Sequence, residues 1–305
     1  MFSLSIIIPH YNDVSGMKRL LQSIPDEPID ILIIDDQSAE DVVVNLVNLV
    51  HLEQAKRKYT LLTLLRNTGT KSAGACRNLG LQQAQGKYLL FADADDIFVP
   101  YFYQMVLPYF AQEKDIVFFE PISVLVDTKK VGTRHKQYAQ LVRQYLNKPS
   151  LHTETSLALR FIVPWSKLYR KQFIIDHELA FDETLVSNDV MFSTKAGYLA
   201  KNISASSQTI YCVTQGGNSL TIANLTEART AIRIEIAINR IKYLQKMKVP
   251  KEYQSMDYWV KYLIQSSLSL EFKWKMLQKM QKVVGKSRLI ESCLFYYYWR
   301  IKWRS

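Results

Sequence analysis

Apolar positions in the first hundred residues alternate between two rhythms. Short apolar runs at 4–8, 29–34, 60–65 and 88–92, the first of them β-branched, have the length of strands, and each ends in polar or turn-forming residues. Between them, Met17, Leu20, Leu21 and Ile24 recur at helical spacing. Residues 42–52 form an apolar-rich helix with Ser38 or Glu40 near its start, and 71–85 form a third. Four strands alternating with three helices predict right-handed βαβ crossovers and an α/β fold whose mostly parallel sheet is covered on both faces. The first strand is expected to end at Pro9. Such sheets bind ligands where their strands' carboxyl ends and connecting loops gather. The polar punctuation falls there, at 11–13, 35–38, 67–69 and 93–96, so four loops assemble one site.

Past a fifth strand expected at 115–120 the regularity fades. The polar, charged segment 129–147 is expected to be a mobile loop leading into a helix, and organisation returns near Phe161. From about 226 onward there is no strand alternation, and Ile232, Ile236, Ile241 and Leu244 sit at helical intervals, which predicts an α-helical appendage. The boundary is placed near 216–218. Residues 1–217 then form the main domain, with halves 1–120 and 121–217, and 218–305 form the helical region.

Composition narrows the class. With 305 residues, 48% of them hydrophobic, the chain can bury a substantial core. Its 39 Lys and Arg against 28 Asp and Glu give +11, which favours phosphate-rich partners: a nucleotide, a nucleic acid or an anionic membrane face. Cys76, Cys212 and Cys293 are far apart and show no CxxC spacing, which points to a reducing, cytoplasmic setting without a zinc site or disulfide framework. His10, His51, His135, His152 and His177 show no metal-ligand spacing. The start lacks a signal-peptide pattern, and no apolar run approaches the ~18–20 residues of a membrane span, so the protein is expected to be soluble or held at a membrane face.

The cluster DADD places three carboxylates in four positions at a strand end, an arrangement that is costly unless a cation sits among them. Mg²⁺ or Mn²⁺, held by one or two carboxylates together with substrate phosphates, is the natural occupant. An Asp-rich N-terminus of a helix over 98–110 accounts for the cluster as well.

The runs SIIIPHYND, ILIIDDQSAED and RNTGTKSAGACRNLGLQQAQGKYLLFADADD resemble the nucleotide-binding half of the family-2 glycosyltransferases, which have the glycosyltransferase-A fold. The order, spacing and chemistry of four separate blocks match over about the first hundred residues, and a further match runs from Trp165 to about Thr221. The resemblance implies that Pro9 and Tyr11 contact the base, with the Tyr11 ring stacking on it, and that Asp36 accepts a hydrogen bond from uracil. Of Asp35 and Asp36, one can serve as a capping or turn residue while the other faces the ligand. Asn67 and Arg77 correspond to positions near the nucleotide; for Arg77 a solvated helix face is the alternative. Asp93 is implied as a nucleoside contact, Asp95 as the residue that reaches the metal, and Asp96 as a neighbour able to contact acceptor or phosphate.

The segments PWSKLYRKQFI, FDETLVSNDVMF and GGNSLT resemble the family's acceptor-side elements, which makes Asp189 the general base. Capping of the helix over 190–198 by Asn188 or Asp189 is the structural alternative. Two departures stand out. Asn188 occupies a position usually held by Glu, and Gly216 and Gly217 occupy positions where relatives often carry Arg or His near the diphosphate. The missing charge comes from elsewhere, for example Lys167, or a glycine loop closes over the donor with its backbone N–H groups. Trp165 and Lys167 are candidates for donor-phosphate or acceptor contacts; Trp165 fits a core role equally well.

The last residues, CLFYYYWRIKWRS, interleave aromatics with Arg300, Lys302 and Arg304. That pattern suits an anionic membrane surface, and packing of the aromatics on the main domain fits equally. No nucleic-acid-binding motif is present. The resemblance implies an inverting, metal-dependent transfer from a UDP-sugar to a glycan or lipid-linked acceptor, as in bacterial capsule or lipooligosaccharide synthesis, at the cytoplasmic membrane face. Two other readings remain: a nucleotidyltransferase, though PHYND lacks that class's glycine-rich basic loop, and a non-catalytic nucleotide-binding relative, for which Asn188 is the only support.

Overall fold

The computed structural model describes residues 2–216 and 226–291. These divide into two compact units, Met1–Ser219 and Leu220–Ser305.

The first unit begins with the alternation that the apolar pattern predicts. It runs β1 (Leu4–His10), α1 (Val14–Ser23), β2 (Ile29–Asp35), α2 (Glu40–Ala55), β3 (Leu61–Arg66), α3 (Ala73–Gln83) and β4 (Tyr88–Phe91). Next come β5 (Ile97–Phe98), α4 (Phe102–Val106), β6 (Ile116–Phe119), β7 (Ile122–Leu125), α5 (Lys136–Asn147) and α6 (Leu151–Arg160). The unit closes with β8 (Lys167–Arg170), α7 (Lys171–Asp176), α8 (Val190–Leu199), β9 (Ile203–Ser206) and β10 (Tyr211–Gln215).

Seven strands form one sheet in the order β3-β2-β1-β4-β8-β6-β9. Its pairings are parallel except where β8 meets β4 and β6. β1, β2, β4 and β6 are buried along their whole length, as expected of strands covered on both faces. A second sheet, β5-β10-β7, was not apparent from the pattern, because its strands are two to five residues long and mix apolar with polar positions.

Two boundaries differ from expectation for physical reasons. β1 does not stop at Pro9 but continues to His10, with Pro9 opposite Ile34 and His10 opposite Asp35. Carbonyls of β1 point alternately to its two neighbours: Ile7 accepts from Ala92, beyond the end of β4, and His10 accepts from Asp36 on the β2 side. Pro9 shares the parity of Ile7, so its missing N–H faces the side where β4 has already ended, and no ladder bond is lost. The second difference follows the acidic cluster. No helix starts there; β5 comes directly after it, and α4 begins only at Phe102 behind Tyr101, whose φ is +65°. The carboxylates of 93–96 therefore do not serve as helix-terminal charges.

Helix α3 lies against the sheet through Gly80, where an added Cβ would sit 2.4 Å from Ile7 and 3.1 Å from Ile34. This close approach fixes α3, and with it the site residues it carries.

The second unit has its own core. Ile234, Ile238 and Ile241 of α9 (Glu227–Lys246) pack with Val260 and Leu263 of α10 (Asp257–Gln265) and with Met276 and Met280 of α11 (Leu270–Val284). Thr226 and Ser269 cap α9 and α11. Among the described residues no helix is long and apolar enough to cross a membrane. The aromatic-basic segment 292–305 and Gly217 lie outside the described residues.

Gly80→Val is expected to lower stability by ~1–3 kcal/mol through overpacking against the branched side chains of Ile7 and Ile34. Urea unfolding checks this; an unchanged midpoint would mean that α3 is not seated as described.

Candidate active site

The loops at the carboxyl ends of β1, β2 and β3 are cross-linked into one rim. The Asn12 N–H donates to Ser38 Oγ (2.9 Å), the Ala39 N–H to Asn12 Oδ1 (3.1 Å), and Gln37 Nε2 to the Gly69 carbonyl (2.8 Å). Tyr11 is 44% exposed on this rim, and Lys71 Nζ lies 4.0 Å from its ring centroid, an interaction that leaves the ring presented to solvent on a fixed loop. Pro9 is buried in β1, behind Tyr11.

The two aspartates after β2 divide their work. Asp35 is buried against His10 Nδ1 (3.2 Å) and accepts from the Ser38 N–H (3.1 Å), which is the turn role. Asp36 Oδ1 accepts from Asn67 Nδ2 (2.8 Å) and from the Ser72 N–H (3.1 Å). Asp36 and Asn67 thus form one unit that ties β2 to the start of α3.

The acidic turn is held from behind by β10. Asp93 N–H donates to Tyr211 Oη (2.8 Å), and the Tyr211 hydroxyl donates to Asp96 Oδ2 (2.9 Å). Thr214 donates its N–H to Asp96 Oδ1 (2.7 Å) and its hydroxyl to the Asp95 carbonyl (2.6 Å). Asp96 is therefore a buried anchor with both oxygens occupied. Burial, followed by the charges of Asp95 and Asp93, pushes its carboxyl well above the usual range. Tyr211 and Thr214 had no signal in the sequence, because a buried clamp on a short strand shows neither periodicity nor motif.

Asp95 points the other way and is exposed. Partial desolvation of the carboxyl by its surroundings, and then the neighbouring charge of Asp93, push it up to about 6, with Asp13 adding and Arg134 opposing. A cation beside Asp95 would relieve this crowding, and the donors are hard oxygens, so Mg²⁺ or Mn²⁺ fits. Among the described residues no three His, Cys, Asp or Glu side chains gather into a complete cage. An ion here would have to complete its shell with ligand oxygens and water.

Arg77 joins the two halves of the site. Its guanidinium is buried and donates to Asp93 Oδ1 (2.6 Å) and to Asn188 Oδ1 (2.7 Å), with the Phe181 ring 5.4 Å away. This burial rules out a solvated helix face for Arg77: two of its donors are committed inside the protein. Asn188 is likewise committed to Arg77. Around this bridge, Asn78 exchanges two hydrogen bonds with the Phe181 backbone, and a Cβ on Gly74 would sit 2.0 Å from the Asp182 carbonyl, so only glycine lets α3 and the 181–189 segment meet.

Asp189 precedes α8 but makes no side-chain cap bond, so helix capping does not explain it. Burial raises its pKa; Arg77 and Lys167 pull it back and Asp93 adds to the rise. It keeps some solvent access. Lys167 sits in β8 with 1% exposure, donating to the Phe161 carbonyl (2.7 Å) among the rings of Phe118, Phe161 and Tyr169. Burial lowers its pKa to about 7, opposed by Asp189. It is a charge beneath the site rather than a phosphate contact. Trp165 is core as well, buried and stacked on Tyr211 at 5.9 Å.

A cross-linked loop rim, a clamped acidic turn and an uncapped, half-buried aspartate are thus brought into one unit. The sequence matches the family described as Glycosyl transferase family 2 over residues 5–177, more than half of the chain. The chain belongs to this family. It is 26% identical over 210 residues to the putative glycosyltransferase EpsH of Bacillus subtilis, covering 66% of this chain and 58% of EpsH. It is 27% identical over 219 residues to the poly(ribitol-phosphate) beta-N-acetylglucosaminyltransferase TarS of Staphylococcus aureus, covering 69% of this chain and 35% of TarS. The matches thus span only part of these family-2 relatives. The crystal structure of TarS 1–349 in complex with UDP-GlcNAc aligns with a TM-score of 0.69 at 18% identity, over 94% of this chain and 83% of that one. The mannosyltransferase PcManGT from Pyrobaculum calidifontis, in complex with GDP-Man and Mn²⁺, aligns with a TM-score of 0.52 at 11% identity, over 97% and 87%. Both are likenesses of fold, and the fold is glycosyltransferase-A.

Arg77→Met removes one guanidinium from two partners and is expected to destabilise the protein. The loss should fall below the ~3–5 kcal/mol of a fully buried pair, because the Asp93 side chain keeps 32% exposure. Denaturant unfolding would contradict the bridge if the midpoint did not move.

Proposed function

We propose that this chain is an inverting glycosyltransferase that moves a sugar from a UDP-sugar to a hydroxyl of a bacterial surface polymer. The observation that carries the reading is the placement of Asp189: a desolvated carboxylate, free of capping duty, joined through Asn188 and Arg77 to the acidic turn of a nucleotide-binding sheet. Membership of family 2 supports a nucleotide-sugar donor, and the UDP-GlcNAc of the TarS complex supports UDP as its nucleotide.

In this reading uracil stacks on the Tyr11 ring, which needs Lys71 to share or yield that face, and Asp36 with Asn67 marks the base edge. Asp93, with its outer surface open, meets the nucleoside. Asp95 would hold Mn²⁺ or Mg²⁺, a choice that the Mn²⁺ of the PcManGT complex supports. When bound, the metal neutralises charge on the departing nucleoside diphosphate. Inversion requires the acceptor hydroxyl to attack the anomeric carbon from the face opposite the leaving group, losing its proton as the bond forms. Asp189 takes that proton, and its raised pKa makes it a stronger base than an ordinary aspartate. An anionic membrane surface remains the proposed partner of the basic, aromatic residues beyond 291, which brings the enzyme to a lipid-linked acceptor.

UDP binding is expected to depend on a divalent ion and on Asp95. Calorimetry should show a large loss of affinity with EDTA and with Asp95→Asn; equal affinity in all samples would remove the metal from the account.

Asp189→Asn is expected to bind UDP normally and to lose ~10²- to 10⁴-fold in turnover. The active form of a raised carboxylate exists above its pKa and is lost as pH falls through it. The acidic limb of kcat should therefore lie above the ~3.9 of an ordinary aspartate and vanish in the variant. Near-normal turnover in Asp189→Asn would transfer the role of base to another residue.

A further inference from the structure

Charge is divided unevenly between the two units. Lys and Arg balance Asp and Glu within Met1–Ser219, so the chain's whole excess of +11 lies in Leu220–Ser305, less than a third of its length. The helical unit does not need that charge to fold, since its core is made of Ile, Val, Leu and Met. A concentrated positive field of this kind draws in an anionic partner.

Helix α11 shows which kind. Met276 and Met280 turn into the core. The opposite face carries Leu270, 82% exposed, and one turn further on Trp274, 65% exposed. Exposed Lys275 and Lys282 share that face, and exposed Lys286 follows just past Gly285. Glu271 is the one acidic residue of the helix. Among the described residues Lys275, Lys282 and Lys286 have no ion-pair partner, in contrast to Lys279, which meets Glu235 at 2.9 Å.

The packing face of α11 is thus already used, and a leucine and a tryptophan stand in water among lysines. A soluble polyanion would meet the lysines but leave Leu270 wet. The headgroup layer of an anionic bilayer takes both kinds of side chain: Leu270 and the Trp274 ring enter the boundary of the acyl chains, while the lysine stems hold their charges at the lipid phosphates.

We propose that the outer face of α11 docks on an anionic bilayer through Leu270, Trp274, Lys275, Lys282 and Lys286. The inference rests on the membrane partner proposed for the residues beyond 291, and it places a contact within the folded helical unit itself.

The test is co-sedimentation of the full chain with phosphatidylcholine vesicles, with and without phosphatidylglycerol. The wild type should bind only the mixed vesicles and lose that binding at high salt. Lys275→Gln, Lys282→Gln and Lys286→Gln combined should weaken binding at least tenfold, since one lysine near such a surface contributes roughly fivefold. Arginine at the same three positions should bind as the wild type does. Leu270→Ser with Trp274→Ser should also weaken binding, and what remains should keep its salt dependence. All these variants should melt at the wild-type temperature, because the altered side chains lie in solvent. Undiminished binding by the glutamine variant would overturn the proposal and leave 292–305 as the membrane segment. Undiminished binding by the serine variant would overturn it as well, by showing a charge-only surface that any polyanion satisfies. So would a matching loss in the arginine variant, which would mark the lysines as structural. Failure of the wild-type chain to bind mixed vesicles would instead overturn the membrane reading as a whole.

Discussion

A single guanidinium ties together two loops that the sequence keeps far apart. Arg77 meets Asp93, at the end of β4, and Asn188, which directly precedes Asp189, and the rest of the site is arranged around that contact. Two charge-assisted bonds from one buried fork fix direction as well as distance. They are protected by the glycine approach at Gly74 and by the paired bonds of Asn78 to Phe181. The substitution at Asn188 makes sense in this setting. An amide oxygen satisfies Arg77 without adding a second carboxylate to a region that already holds Asp93 and Asp189, where more negative charge would raise the Asp189 pKa further.

The second organising element is β10. Its side chains reach the acidic turn on one side, through Tyr211 and Thr214, and the 132–135 turn on the other, through Gln215. A strand five residues long thereby sets the relative positions of the acidic turn and the 132–135 turn. Tyr211 is itself pinned by Trp165 and Phe98, so the clamp rests on the hydrophobic core rather than on solvent-exposed contacts. Trp165 and Lys167 thus serve the site from beneath it, one by packing and the other by charge.

The alternating half of the fold was legible because each strand and helix there announces itself by its own period. β1 to β4 and α1 to α3 appear in the expected order, and the loops at 11–13, 35–38, 67–69 and 93–96 gather on one side of the sheet. Elements whose existence depends on partners were not legible. β8, with Lys and Arg at its ends, is a strand only because β4 and β6 flank it, and β5 and β7 are strands only because β10 lies between them. The site followed the same division. Tyr11, Asp36, Asp93, Asp95 and Asp189 lie on motifs and were singled out. The bonds of Arg77 to Asp93 and Asn188, and of Asp96 to Tyr211 and Thr214, are not legible there, because a motif reports that a residue is needed and not which neighbouring loop it holds. Tyr211 and Gln215 carry no local signal and emerge only from contacts across about 80 to 120 residues of chain.

The central claim is that one cleft holds donor and base on opposite sides, with Arg77 as the fixed partition between them. The most direct measurement is a crystal structure of the chain with UDP and Mn²⁺. The account predicts uracil on the Tyr11 ring beside Asp36, the ion on Asp95, and the Asp189 carboxylate across the sugar space from the diphosphate, with the Arg77 contacts to Asp93 and Asn188 intact. UDP bound away from Tyr11 and Asp95, or Asp189 found on the diphosphate side, would contradict it.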